Sequence, residues 1–390
     1  MSTGTAGKIT SITELRAAAR ARSDQRTANA RSATTLMVVM AALLVVGLTA
    51  TTSASSVVGI GSQEDQFYFL KRQLIGVGLG ALALFFTSRF SYQHYRKLAM
   101  PIFIGVTGLL VLVLAVGEEV AGARRWIDLG PIAPQPSELA KFSVVLALAA
   151  VLDRKKRMLG DLGHFLAPVA VFLGGTAVLV MMQPDLGTTI VIAAAAMAVL
   201  MTSAAPFRFV AGSGAAGAGL AGLLAFSAGY RRDRITGFLD PWSDAGGTGW
   251  QLIQSYYALG TGGMFGVGLG GSRARWFYLP NAHTDFIFAI IGEETGFVGA
   301  SMVLALFALF AAAGWTVARR APDPFGRMLA AGITTWITFQ ALVNVGGVLG
   351  VMPITGITLP FVSYGVTAIA VTMAAAGVLV NIAHSGGRTR

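Results

Sequence analysis

The chain has 390 residues, of which 54% are hydrophobic and only 12% are charged, and its formal net charge is +11. Soluble globular domains carry charge on about 25% of their residues, so this composition excludes an ordinary soluble enzyme. The sequence contains no cysteine, which excludes disulfides, thiol nucleophiles and cysteine-ligated zinc or iron–sulfur sites. The composition predicts an all-α polytopic membrane protein.

The apolar residues are gathered into runs of the length that a membrane helix requires, roughly 20 residues. Ten such spans are predicted, in chain order: 35–53, 73–88, 100–117, 138–152, 165–182, 186–204, 209–228, 286–316, 328–350 and 361–382. The longest connection, residues 230–285, lies between the seventh and eighth spans. The sequence therefore predicts ten transmembrane helices with one large extracytoplasmic loop.

The basic residues indicate the orientation of these spans. Nineteen of the 29 Lys and Arg residues fall in the termini and the connections of one side, nine fall on the other side, and Lys141 lies within a span. Because basic residues concentrate on the cytoplasmic side, both termini are predicted to be cytoplasmic. Residues 1–34 then form an Arg-rich mobile arm and residues 383–390 a short tail. A cleaved signal peptide ending near residues 53–56 is the alternative for the amino terminus.

The net positive charge is explained by topology and by attraction to anionic lipid. The sequence has no basic module interleaved with aromatic residues, so nucleic acid is not an expected partner.

Polar residues collect on the side opposite the termini, in residues 122–130, 135–141, 183–187 and 230–285. A reaction site is therefore expected on the extracytoplasmic face.

Glu138 and Lys141 stand three residues apart just after Pro136. A helix that starts there presents both on one face, and Ser137 is expected to cap it. The pair is either an ion pair that stabilises the helix end or a wall of the site that contacts an anion.

The 230–285 connection is rich in aromatic residues, which argue against disorder. Residues 248–260 are predicted to form an interfacial helix and residues 262–271 a Gly-rich turn, an arrangement that suits a lipid-linked substrate. An interfacial aromatic belt without any ligand explains the same residues.

Asp285 lies where this connection re-enters the membrane. A partly desolvated carboxylate at that depth has a basicity useful for deprotonating a hydroxyl. Residue types alone equally allow Thr284 and Asp285 to cap the eighth helix. Glu293 and Glu294 follow two turns later, either as hydrogen-bonded structural carboxylates or as cation ligands together with Asp285.

These residues belong to several motifs that occur in a fixed order. The motifs are Arg125-Trp126-Ile127 with Gly130, Gln135-Pro136-Ser137-Glu138-Leu139-Ala140-Lys141, Gln183-Pro184-Asp185-Leu186-Gly187-Thr188, Leu279-Pro280 with His283-Thr284-Asp285-Phe286-Ile287-Phe288, and Leu359-Pro360-Phe361-Val362-Ser363-Tyr364-Gly365. Together they resemble the SEDS proteins (shape, elongation, division and sporulation) from about residue 35 to residue 382. Residues 282–294 are more similar to the division member FtsW than to the elongation member RodA.

The resemblance implies a ten-helix bundle with peptidoglycan glycosyltransferase activity on lipid II, the undecaprenyl-pyrophosphate-linked disaccharide-pentapeptide. Asp285 matches the essential aspartate of the family and is expected to be the general base in an inverting transfer that forms a β-1,4 bond. A divalent cation, Mg²⁺ or Mn²⁺, is a candidate for additional positive charge at the departing pyrophosphate, and no organic cofactor is expected. The candidate substrate-binding residues are Lys141, Glu138, Arg125, Trp126, Arg231, Arg234, Arg273, Arg275, His283, Thr284 and Ser363.

The resemblance also implies partners: a class B penicillin-binding protein transpeptidase and other membrane proteins of the divisome, at the septum of a bacterial plasma membrane. One departure concerns Val366-Thr367-Ala368, which stand where family members commonly have Gly-Ser-Ser. Two alternatives stay open, namely a flippase that moves lipid II across the bilayer and a division scaffold without catalytic activity.

Overall fold

The computed structural model describes residues 12–120, 122–130, 133–276 and 278–385. Within these ranges the chain forms α-helices and one two-stranded antiparallel hairpin. The helices are α1 (Ile12–Gln63), α2 (Tyr68–Arg89), α3 (Tyr92–Val116), α4 (Pro136–Arg154), α5 (Leu162–Pro168), α6 (Gly175–Met182), α7 (Leu186–Met201), α8 (Phe207–Phe226), α9 (Gly229–Leu239), α10 (Trp250–Gly262), α11 (Ile287–Arg320), α12 (Pro324–Val348) and α13 (Val366–Ser385). The hairpin pairs β1 (Glu118–Val120) with β2 (Ala123–Trp126).

Helices occupy all ten places where the sequence predicts a span. A π-helical segment, Val169–Gly174, joins α5 to α6 and makes one rod, Leu162–Met182. Eight helices of the described ranges are long and apolar enough to cross a membrane. The other two are α7, an apolar helix of 16 residues, and α4, which carries four charged residues. The multi-pass, all-α class is confirmed, and the exact count of ten spans stays a prediction.

The terminal segments are described in part. The first helix begins at Ile12, so residues 12–34 of the predicted arm are helical, and residues 53–56 lie within the same helix. Residues 1–11 and 386–390 lie outside the described residues. The mobility of the arm stays a prediction.

The interior of the bundle is built from α4, α12 and α13, which are buried over most of their length. By contrast, α8 buries only Val210, so it lies at the periphery. Helices α2 and α13 pack closely at glycines: a Cβ atom at Gly76 would lie 2.9 Å from the Cα atom of Val366, and one at Gly377 would lie 2.8 Å from the carbonyl oxygen of Leu84. The two helices are therefore in close contact from the start of α13 to its last turns.

Helix α11 is broken at Gly296, whose φ of 68° is unfavourable for residues with a side chain. Beyond the break, the Phe297 amide donates to Gly263 O at 2.8 Å instead of to its own helix. In return, the amides of Val267 and Gly268 donate to Glu293 O and Glu294 O at 3.0 and 3.1 Å. The long connection is therefore anchored to α11 through the backbone.

Five connections lie at one end of the bundle, which we call the loop face: residues 64–67, 117–135, 183–185, 227–286 and 349–365. Within the longest of them, α10 confirms the helix predicted for residues 248–260. Since successive helices run in opposite directions, connections far apart in sequence come together on this face.

Candidate active site

Asp285 lies in a turn that precedes α11. The amides of Thr284 and Asp285 both donate to Asn281 O at 3.1 Å, and Asn281 adopts the left-handed conformation with φ 56°. The helix begins after Phe286, and no side chain caps it. The interpretation of Thr284 and Asp285 as helix caps is therefore wrong, because the turn ends before their side chains can reach the first free amides.

The backbone of this turn is held from two sides. Asn344 of α12 donates from Nδ2 to Asp285 O at 2.8 Å and to Ile357 O at 2.7 Å. On the other side, the Ser363 hydroxyl donates to Thr284 O at 2.6 Å, and the Tyr364 amide donates to His283 O at 3.0 Å. The carboxylate of Asp285 is thus carried on a backbone segment with little freedom.

A cavity of about 260 Å³ opens on the loop face, and the recess that holds Asp285 adjoins it. The two spaces share Val343, Ile354 and Thr355 as walls. The other residues that line the cavity are Arg125, Pro184, Leu186, Gly187, Ile190, Ala225, Arg231, Arg234, Ile235, Phe339, Met352 and Pro353. Apolar walls with a few convergent arginines are typical of a site for an amphiphilic anion.

Three arginines predicted from the sequence are brought together in this cavity. Arg125 is held by the carbonyls of Gln183 and Pro184, at 2.9 Å from Nε and 2.6 Å from Nη2. Arg231 donates to Leu224 O at 2.9 Å. Arg234 donates to Ile354 O at 3.4 Å. Guanidinium groups with fixed geometry suit the recognition of phosphate oxygens.

The surroundings of Asp285 change the pKa of its carboxyl in opposite directions. Burial raises this pKa to about 6 and is the largest effect. The positive charges of Arg234 and Arg125 lower the pKa, and the negative charge of Asp185 raises it. Burial also lowers the pKa of His283 to about 4, so this imidazole is neutral at neutral pH. Its ring centroid lies 4.7 Å from that of Phe69 and 5.7 Å from that of Tyr364. His283 therefore packs in an aromatic cluster beside the carboxylate.

Comparison with known proteins places this arrangement in a family. The FtsW, RodA and SpoVE family model, described as cell cycle protein, matches residues 34–387. The chain belongs to the SEDS family. It is 40% identical over 352 residues to the stage V sporulation protein E of Bacillus subtilis, covering 90% of this chain and 96% of that protein. It is 39% identical over 349 residues to a protein of Geobacter metallireducens named probable peptidoglycan glycosyltransferase FtsW, covering 89% and 93%.

Solved SEDS structures share the fold. A chain from work on the structural coordination of polymerization and crosslinking by a peptidoglycan synthase complex matches with a TM-score of 0.73 and 32% identity, covering 90% of this chain and 97% of that one. The rod shape determining protein RodA of Thermus thermophilus matches with a TM-score of 0.67 and 29% identity, covering 90% and 96%. The protein is therefore a multi-pass membrane protein of the SEDS type.

Glu138 and Lys141 lie in the bundle beside α12. The Lys141 ammonium is 2.8 Å from the Glu138 carboxylate and donates to Gln340 Oε1 at 2.8 Å, while the Trp336 indole N–H donates to the same Gln340 oxygen at 2.9 Å. Lys141 is only 2% exposed. The ion-pair interpretation matches this geometry, and a contact of either residue with substrate stays a prediction. Ser137 does not cap α4, because Gln135 occupies the N-cap position.

Arg273 and Arg275 are separated from the arginine cavity. Arg275 lines a second groove with Glu294, and its Nη1 lies 3.4 Å from the Ser53 hydroxyl, which itself donates to Glu294. Arg273 is exposed, and its amide donates to the Glu293 carboxylate at 2.9 Å.

The two glutamates behave as structural carboxylates. Besides the Arg273 amide, Glu293 accepts from the Ser272 hydroxyl at 2.5 Å.

Trp126 is half-buried at the end of β2, beside Arg125.

Sequence reasoning missed two amide side chains that organise the site, Gln73 and Asn344. Gln73 is buried in α2 and bonds to the Ser363–Gly365 backbone. Both lie inside predicted membrane spans. A polar side chain within an apolar span is costly unless it has a partner, and this signal could have identified them. The predicted residues Ser363 and Thr284 are joined here by the hydrogen bond from the Ser363 hydroxyl to the Thr284 carbonyl.

The described residues contain no group of three or more His, Asp or Glu side chains placed to hold a metal ion. A divalent cation held by the protein alone does not fit this site. Mg²⁺ often binds through one or two carboxylates together with substrate phosphates, so a cation that accompanies a pyrophosphate stays a prediction.

Proposed function

We propose that this protein is a peptidoglycan glycosyltransferase that polymerises lipid II into β-1,4-linked glycan strands, with Asp285 as general base. The observation that carries the proposal is the position of the Asp285 carboxylate, in a recess that adjoins a cavity lined by Arg125, Arg231 and Arg234. The names of the relatives support the same reaction class.

The reaction follows from the chemistry of the substrates. Asp285 removes the proton from the 4-hydroxyl of an acceptor N-acetylglucosamine, and that oxygen forms a bond to the anomeric carbon of the donor sugar. The bond between this carbon and the pyrophosphate oxygen breaks, and the lipid pyrophosphate leaves with the electron pair. One in-line displacement inverts the α-linked donor into a β-1,4 product.

The arginines supply the complementary charge. Negative charge develops on the pyrophosphate oxygen as the bond breaks, and positive groups already fixed in place stabilise it. Arg125 is the best prepared of the three because two backbone carbonyls hold its guanidinium. Arg231 and Arg234 belong to α9, within the long connection, and add positive charge from a second side.

The raised pKa of Asp285 suits its role as base. A carboxylate with a pKa of about 6 is mostly ionised at neutral pH and is more basic than an ordinary aspartate. The apolar walls of the same cavity, such as Leu186, Ile190 and Phe339, provide the surroundings that a polyprenyl chain needs next to its pyrophosphate.

We further propose that the loop face is extracytoplasmic, that both termini are cytoplasmic, and that the protein works at the division septum. The distribution of basic residues supports this orientation. Similarity to a chain of a peptidoglycan synthase complex supports a class B penicillin-binding protein as partner. Other membrane proteins of the divisome are expected on the family resemblance.

Polymerisation of fluorescent lipid II by the purified protein, with and without a class B penicillin-binding protein, tests the proposal on a glycan gel. We expect polymer from the wild type and none from Asp285→Asn. Asp161→Asn is the matched control, because Asp161 caps α5 on the opposite face and asparagine caps equally well. Accelerated flipping of lipid II in liposomes without any polymer would support the transporter instead.

A further inference from the structure

Helices α2 and α13 are joined at both ends by the same kind of hydrogen-bonded clamp. At the loop face, Gln73 accepts from the Gly365 amide at 3.1 Å and donates to Ser363 O at 3.0 Å. At the opposite end, Asn381 accepts from the Tyr92 amide at 2.8 Å and donates to Ser88 O at 2.8 Å. Each clamp uses one buried carboxamide to satisfy one backbone donor and one backbone acceptor.

Only the Gln73 clamp continues toward Asp285. The segment that it holds, Ser363–Gly365, is bonded in turn to the backbone of the turn before α11. Ser363 Oγ donates to Thr284 O at 2.6 Å, and the Tyr364 amide donates to His283 O at 3.0 Å. Gln73 itself is 1% exposed and does not line the cavity. Two layers of hydrogen bonds therefore link it to the backbone just before Asp285.

The segment that contains Ser363, residues 359–365, includes a backbone conformation that needs stabilising hydrogen bonds. Phe361 has φ 65°, a left-handed conformation that is unfavourable for a residue with a large side chain. Such conformations persist where the surroundings over-determine them, often at functional sites. Here the Leu359 amide donates to Ser363 Oγ at 2.8 Å, Thr51 donates to Val362 O at 3.3 Å, and Gln73 supplies two further bonds.

We propose that Gln73 is a positioning residue for glycan polymerisation, which holds the Ser363–Gly365 segment so that this segment sets the place of the Asp285 backbone. This inference rests on the proposed function. A carboxamide is required because residue 73 must donate to the Ser363 carbonyl and accept from the Gly365 amide. Methionine has a similar shape and does neither well, and ionised glutamate accepts without donating.

The test compares Gln73→Met with Asn381→Leu in the lipid II polymerisation assay and in thermal unfolding. Both variants lose one buried amide clamp, so we expect similar drops in melting temperature. Gln73→Met should lower kcat on the order of tenfold with little change in KM, because small displacements of a reacting group are costly. Asn381→Leu should keep the wild-type kcat.

A rescue variant sharpens the comparison. Protonated glutamate has one donor and one acceptor, so as the pH is lowered from 8 toward 6.5 the kcat of Gln73→Glu should rise relative to that of the wild type at the same pH. Gln73→Met should show no such recovery. Equal kcat in the wild type and Gln73→Met, or equal losses in Gln73→Met and Asn381→Leu, would overturn the inference.

Hydrogen exchange provides a readout independent of activity. In Gln73→Met, the amides of Leu359 and Tyr364 should exchange faster, whereas in Asn381→Leu they should not. Unchanged exchange in Gln73→Met would overturn the inference even if the wild type made no glycan, a result that would count against the proposed function alone. An inactive Asp285→Asn beside a fully active Gln73→Met would overturn only the positioning role.

Discussion

The Oδ2 atom of Asp285 and the Nη1 atom of Arg234 converge on one point beside Gly356. A Cβ atom at Gly356 would lie 3.5 Å from the first and 3.7 Å from the second. The missing side chain therefore leaves space between a carboxylate and a positive charge. The φ of Gly356, 72°, is also one that glycine adopts most easily.

Gly356→Ala should fill this space and strain the connection that carries it. We expect polymerisation to fall by about tenfold or more, since a misplaced reacting group is costly, and the fold to persist. Initial rates on fluorescent lipid II would measure the effect. Gly122→Ala is the matched control for strain, because Gly122 also has a positive φ, 75°, and a Cβ atom there would meet no other atom within 4 Å. Equal losses in both variants would contradict a role specific to Gly356.

The rate of polymerisation should depend on the ionisation of Asp285. The pKa of this carboxyl is raised to about 6, and the base acts only when it is deprotonated. We therefore expect kcat/KM to rise with pH, to reach half of its plateau near pH 6 and to level off above pH 7. A profile that stays flat between pH 5 and pH 8 would argue against Asp285 as the base.

Arg234→Gln should move this profile. The positive charge of Arg234 lowers the pKa of Asp285, so its removal should raise the midpoint above that of the wild type. The rate should then be reduced at pH 6.5 more than at pH 8. Arg232→Gln makes the same change of charge on the exposed side of α9 and should leave the midpoint in place. Identical shifts in the two variants would point to general electrostatics instead of a local pair.

Lys141→Met should destabilise the protein by about 3–5 kcal/mol, because it leaves the buried Glu138 carboxylate without its partner. The double variant Glu138→Gln with Lys141→Met should recover much of this loss. Thermal unfolding in detergent measures both effects. A double variant that is stable but makes no glycan would support the predicted contact of this pair with substrate. A stable Lys141→Met single variant would contradict the burial of an ion pair.

The class of the protein and its helices could be predicted from the sequence because these depend on local properties. An apolar run of sufficient length favours a membrane helix wherever it stands, and each predicted span coincides with a helix. Asp285 could be proposed because a carboxylate where a loop re-enters the membrane is costly without a role. The capping alternative could not be rejected from residue types, since it depends on where the turn ends and α11 begins.

The arrangement of the site was decided by tertiary structure. Arg125 comes from one connection, and Arg234 and Asp285 come from opposite ends of another. Only the packing of antiparallel helices brings the two arginines to one cavity beside the Asp285 recess, whereas Arg275 is directed to another groove. Lys141 resembled the arginines in sequence, yet Glu138 and Gln340 engage it inside the bundle.

The sequence by itself determined the membrane class, the positions of the helices, the gathering of polar residues on one face and the candidate base. Only the tertiary structure decided which charges share a cavity and which buried amides, Gln73 and Asn344, bond to the backbone at Asp285 or to the segment next to it. The physical reason is that hydropathy and charge act along the chain, whereas a hydrogen bond such as that from Gln73 to Ser363 joins residues 290 positions apart. Such contacts exist only after the helices have packed.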